Sequence, residues 1–177
     1  MNDERSLPVD GSVFDALFRL AKHEGAFGAK LSAIGVGPDA SQHRFTAEQW
    51  LATLNAFREE LHPYEPKTGF RKLGYALAQA YGGTFSGKLI HLALPMLSPM
   101  QLLRRWPRFV RVGRADVELE VTELGERGVL IASRDPVDVP MDVNLGLLDF
   151  VFELLGETPS FEVEPAADRW IRVTCRW

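Results

Sequence analysis

Residues 117–133 read VELEVTELGERGVLIAS, and the fold class turns on them. Val117, Leu119 and Val121 alternate with Glu118, Glu120 and Thr122, a two-residue period that gives a strand one dry face and one wet face. Leu124-Gly-Glu-Arg-Gly128 is a turn, and Val129 to Ser133 returns as a second strand, so the stretch predicts an antiparallel hairpin. Nothing before it has this period. Everything before it that is patterned has apolar residues at helical spacing.

C-terminal to the hairpin, Asp135 to Asn144 reads as a loop leading into a helix over Asp142–Leu155, closed by Gly156. Asp142, Gly146, Asp149 and Glu153 form its single polar stripe, so this helix is expected to be buried on more than one side, with Asp149 and Glu153 as its wet edge. Phe161 and Val163 begin a third strand and residues 165–168 turn it. The last strand puts Ile171, Val173, Cys175 and Trp177 on one face, with Arg172, Thr174 and Arg176 on the other.

N-terminal to the hairpin, Ser98-Pro99 is an N-cap with proline at the first helical position, which predicts a helix to about Arg105. Residues 66–107 supply two more helices, one to about Tyr81 and one over Thr84–Leu94, separated by Gly82-Gly83. Thr46 and Gln49 form a capping box ahead of Trp50, Leu51, Leu54, Phe57 and Leu61, and the run from His62 to Pro66 stops that helix. Helices starting near Asp10 or Ser12 and at Ala26 precede it, with a loop over 35–44, and residues 1–9 are a tail or an extended lead-in strand. The order is helices, hairpin, helix, hairpin. Grouped helices and grouped strands predict an α+β fold: an N-terminal helical bundle packed on a small, mainly antiparallel sheet, with residues 10–177 as a single domain.

Composition narrows the function classes. The chain has 177 residues, 46% of them hydrophobic and 25% charged, with net charge −4. One domain of this length buries enough surface to fold without metal or disulfide staples. The acidic balance argues against a nucleic-acid binder. A lone cysteine, Cys175, makes neither an internal disulfide nor a Cys-rich metal site. The longest apolar run, Leu89 to Leu97, is too short to cross a bilayer, and the polar start lacks the features of a secretion signal. The expectation is a cytoplasmic protein with no transmembrane segment.

The motifs are few. Gly82 to Lys88 matches GxxxxGK, but Leu89 stands where a phosphate loop needs Ser or Thr, and a helix precedes it where the motif needs a strand. His91, set among leucines and isoleucine, is a possible axial ligand for haem iron, or a core histidine with its hydrogen bond satisfied. Arg104, Arg105, Arg108, Arg111 and Arg114 fall within eleven residues. Such a cluster holds an anion or an acidic partner, or else pairs with local carboxylates. Ser86, Ser98 and Ser133 lack the setting of a nucleophile, so no catalytic residues are assigned.

The runs Glu59-Glu-Leu-His-Pro63, Phe70-Arg-Lys-Leu-Gly-Tyr75, Gly83-Thr-Phe-Ser-Gly-Lys88 and Arg105-Trp-Pro-Arg-Phe109 resemble a myxobacterial domain-of-unknown-function family of about 180 residues. So do the Glu-rich strand, the Asn144–Gly156 helix and the final strand ending in Trp177. More distantly, the element order is similar to that of haem nitric-oxide-binding domains, four-vinyl-reductase domains and Bet3-type subunits of vesicle-tethering complexes. That likeness implies helices on a small sheet that can enclose an apolar ligand. The Tyr-x-Ser-x-Arg motif of the haem branch is absent, as is the cysteine cluster of the reductase branch, so neither haem nor metal is expected. The combined expectation is a non-enzymatic regulatory or sensory domain binding a small, largely apolar ligand between helices and sheet, with Tyr75, Phe85, His91, Phe150 and Trp170 as pocket walls. The alternatives are a homodimeric protein–protein interaction module and a haem-binding gas sensor.

Overall fold

A computed structural model of the protein describes residues 8–21, 24–83 and 97–177. Among these the helices are α1 (Ser12–Phe18), α2 (Gly25–Ala33), α3 (Ala47–Leu61), α4 (Gly69–Tyr81), α5 (Pro99–Gly113) and α6 (Met141–Leu154). The strands are β1 (Val9–Asp10), β2 (Arg44–Phe45), β3 (Glu118–Glu123), β4 (Gly128–Arg134), β5 (Ser160–Pro165) and β6 (Trp170–Arg176). The architecture is α+β, as the grouping of periods predicts.

Local chemistry explains where the helices begin. The Thr46 hydroxyl accepts from the Gln49 amide at 3.2 Å, while the Gln49 side chain accepts from the Thr46 amide at 3.0 Å. Ser98 and Gln101 repeat this arrangement ahead of α5, with Pro99 at the first turn. Each box satisfies two amides that have no partner inside the helix.

β3, β4, β6 and β5 form one antiparallel sheet in that order. The register aligns Val121, Ile131, Val173 and Val163 in one row, and Glu123, Val129, Cys175 and Phe161 in another. These rows belong to the inner face, which α5 and α6 cover. On the outer face Glu120, Ala132, Arg172 and Glu164 lie in register.

The apolar residues separate into two cores. One is built from α1 to α4 around Phe14, Leu54, Phe57 and Leu73; the other lies between α5, α6 and the sheet, around Leu103, Val129, Phe152 and Cys175. Leu147 of α6 packs against both. The junction is the crossing of α4 over α6, where backbone meets backbone. A Cβ added at Gly74 would stand 2.0 Å from the carbonyl oxygen of Val143, and one at Gly146 would stand 2.0 Å from that of Arg71. Only glycine at both positions permits so close an approach.

Two expectations are corrected. α5 does not stop at Arg105; it runs through Pro107 to Gly113. Proline forfeits the bond to the Leu103 carbonyl, but Leu102, Leu103 and Trp106 are buried against the second core and hold the helix together. The predicted loop over 35–44 gives way at its last residue, Arg44, to β2, which pairs with β1. At the chain start, of the two readings offered, residues 8–10 follow the extended lead-in strand: Val9 is fully buried, and β1 is anchored further by Pro8, whose carbonyl accepts from the Ala115 amide at 3.0 Å. The helix expected over Thr84–Leu94 lies outside the described residues.

Candidate functional site

A cavity of about 320 Å³ opens where the two cores meet, at the small end of the range for ligand pockets. α4 contributes Leu77 and Tyr81, α5 contributes Leu102, Trp106, Phe109 and Val110, and α6 contributes Val143, Leu147, Leu148 and Val151. Ile131 of β4 and Val173 of β6 form the sheet side. The walls are apolar because each element turns its core-facing stripe inward, and the two stripes do not fill the space between the layers.

One end of the cavity is polar. Arg114, just past α5 and 7% exposed, donates from Nε and Nη2 to the two carboxylate oxygens of Asp116 at 2.8 and 2.9 Å, and from Nη2 to Asp135 at 2.8 Å. Burial by itself would pull the guanidinium pKa down; the hydrogen bonds and charges of Asp116 and Asp135 outweigh it and raise the pKa above arginine's ordinary value. Asp135 also accepts from the Val137 amide at 3.0 Å. Ser133 and Arg169 line the cavity at this end, and Arg169 is tied to Asp138 and to the Pro136 carbonyl. One arginine between two aspartates leaves that cluster with a formal charge of −1.

The residues expected to form a pocket separate. Phe150 is among the lining residues of the cavity; Tyr75 and Trp170 are not. Tyr75 donates to Glu153 at 2.7 Å and meets Phe150 edge-on, with ring centroids 5.3 Å apart. That bond to Glu153, followed by burial and the charges of Glu153 and Asp149, raises the Tyr75 pKa. Trp170 lies beneath the guanidinium of Arg134, 5.6 Å from its ring centre. Phe85 and His91 lie outside the described residues, as do residues 84–88 of the phosphate-loop match; Gly82 follows directly on α4, a helix.

Asp149 and Glu153, expected as a wet edge, are engaged with α4. Arg71 donates from Nε and Nη2 to Asp149 at 2.6 and 2.8 Å, and with Tyr75–Glu153 this closes the outside of the Gly74–Gly146 crossing. The signal for that seam was present in the sequence as two matching four-residue spacings, 71 with 75 and 149 with 153.

The arginine cluster divides as well. Arg104 makes a forked pair with Glu123 of β3 at 2.6 and 3.0 Å. Arg114 turns inward to the cavity. Arg105, Arg108 and Arg111 are exposed on α5.

Comparison with known proteins fits this geometry. The family model "Protein of unknown function (DUF2378)" matches residues 7–177. No curated protein matches. Among solved structures, an H-NOX protein from S. oneidensis in the Fe(II)NO ligation state is 9% identical with a TM-score of 0.68, over 94% of this chain and 98% of that one. An oxygen-binding H-NOX domain related to soluble guanylate cyclases is 14% identical with a TM-score of 0.65, over 94% and 90%. Unliganded Fe(II) H-NOX from K. algicida is 11% identical with a TM-score of 0.67, over 94% and 95%. At these identities the likeness is one of fold. It nevertheless corrects the expectation against haem, because the solved relatives of this fold include haem proteins.

Proposed function

We propose that this chain, which belongs to the DUF2378 family of proteins of unknown function, is a sensory domain whose cavity takes haem. The observation that carries the reading is the apolar cavity set between the helical layer and the sheet, in a fold that matches haem domains over 94% of the chain. The described lining residues suit the faces of a macrocycle: Trp106, Leu148 and Val173 offer flat or branched apolar surface and exclude water. No histidine or cysteine is among them, so the imidazole proposed for the iron is His91, chosen from the sequence alone. When bound, haem iron supplies a site for a diatomic gas. Arg114 and Asp135 then hold the polar end of the cavity in a fixed arrangement.

The test is spectroscopic. Protein expressed with a haem precursor should carry a Soret band, and His91→Ala should lose or shift it while keeping its far-ultraviolet circular dichroism. Colourless wild-type protein that also fails to take up added haemin would overturn the reading.

A second reading, an uncharged apolar ligand without iron, is supported by the polar end. Arg114 is saturated by two aspartates, so it offers no free cation to a ligand carboxylate. Native mass spectrometry of freshly purified protein separates the two, since haem and an apolar metabolite differ in mass and only haem absorbs visible light.

A further inference from the structure

We propose that the outer face of α5 is a docking surface for a short acidic segment of a partner protein. At 3.6 residues per turn, Arg105, Arg108, Arg111 and Val112 fall within an arc of about 120° on this helix. The three arginines are exposed and make no hydrogen bond or ion pair among the described residues, while Val112, at the edge of the cavity and 65% exposed, is among the most exposed large apolar side chains of the described residues. Other surface arginines are engaged, Arg104 with Glu123, Arg127 with Glu157, Arg134 with Glu118 and Arg169 with Asp138, and the exposed Arg172 and Arg176 stand on the outer face of the sheet and at its end, not in a row on one helix. Three unengaged guanidinium groups on one helix face, in a chain of net charge −4, form a local positive field that the rest of the molecule does not neutralise.

The adjoining surface sets the kind of partner. Arg104, one turn from Arg108, already shows the geometry: both of its donors meet the two oxygens of a carboxylate, the forked pairing that distinguishes arginine from lysine. The free row extends only about 9 Å along the helix. A nucleic-acid backbone continues; a segment with two or three carboxylates at helical spacing does not. Val112 adds an apolar contact that suits a protein partner. The inner face of the same helix lines the cavity through Leu102 and Trp106, which places the two surfaces on one rigid element.

The test uses the full chain and a fluorescein-labelled helical peptide with glutamates at positions i, i+3 and i+7. Controls are the same peptide with lysines, duplex DNA, and phosphatidylserine–phosphatidylcholine vesicles. Wild-type protein should bind the glutamate peptide, and R105E/R108E/R111E should weaken that binding by at least about tenfold and prefer the lysine peptide. R105Q/R108Q/R111Q gives the same loss without added repulsion and guards against misfolding of the first variant. Equal binding by wild type and both variants, or tighter binding of DNA or vesicles than of the peptide, overturns the proposal. The assay needs no ligand in the cavity, so a protein that binds haem but not the peptide refutes this inference and leaves the haem reading standing.

Discussion

Cys175 lies on the inner face of β6, fully buried, and burial pushes its thiol from 9.0 up to about 12. The unfolded chain therefore ionises this group first. Its contribution to stability is complete below pH 9 and is lost as pH rises towards 12. Between pH 8 and 10.5 wild type should lose roughly 2 kcal/mol from this group, read as a fall in the urea midpoint. Cys175→Ala, whatever its stability at pH 8, should lose less over the same interval; an identical pH slope in the variant would assign the effect elsewhere. Arg114 makes the complementary case at acidic partners. Replacing it by methionine leaves Asp116 and Asp135 facing each other with little solvent, at a cost of about 3 kcal/mol. Adding Asp135→Asn should recover part of that loss in chemical denaturation. If Arg114→Met melts like wild type, the cluster is not a stabilising one.

At the scale of elements, the critical contact is the crossing of α4 over α6. A methyl group at Gly146 meets the Arg71 carbonyl at 2.0 Å, and backbone cannot rotate out of the way as a side chain can. Gly146→Ala should therefore push the helices apart and cost about 3 kcal/mol. Gly128→Ala, whose new methyl would find only ordinary contacts at 3.6 Å, should change the thermal midpoint little; similar losses in the two would show that the crossing has room to relax. The start of each capped helix was legible in the sequence because the capping box spans four residues. The end of α5 was not, since proline's local preference was overridden by Leu102, Leu103 and Trp106 packing on the sheet unit. The same division holds for the site. Five arginines in eleven residues announce themselves, but which of them is free depends on Glu123 and Asp135, supplied by β3 and by the loop after β4. The position of Trp170 was illegible for a related reason: its neighbour is Arg134, set opposite it by strand register, and register is not a local property.

At the scale of the whole molecule, two cores share α6 and leave a cavity between them. A packed interior resists added volume, at about 1–3 kcal/mol for an oversized side chain. A cavity of about 320 Å³ should accept one. Ile131 lies at the centre of the inner row of β4, 5% exposed, and lines that cavity. Ile131→Trp should therefore leave the haem-free thermal midpoint within about 3 °C of wild type, since 1 kcal/mol moves a domain of this size by about 2–4 °C. On the haem reading proposed above, haem should raise the midpoint of wild-type protein, because ligand binding to the native state stabilises it, and Ile131→Trp should abolish that rise. Ile131→Val, which keeps the space open, should retain it. The pair separates packing from occupancy. If Ile131→Trp is strongly destabilised without haem, the two cores are continuous and there is no space to fill. If it is stable and still stabilised by haem, the ligand binds outside the junction of the two cores.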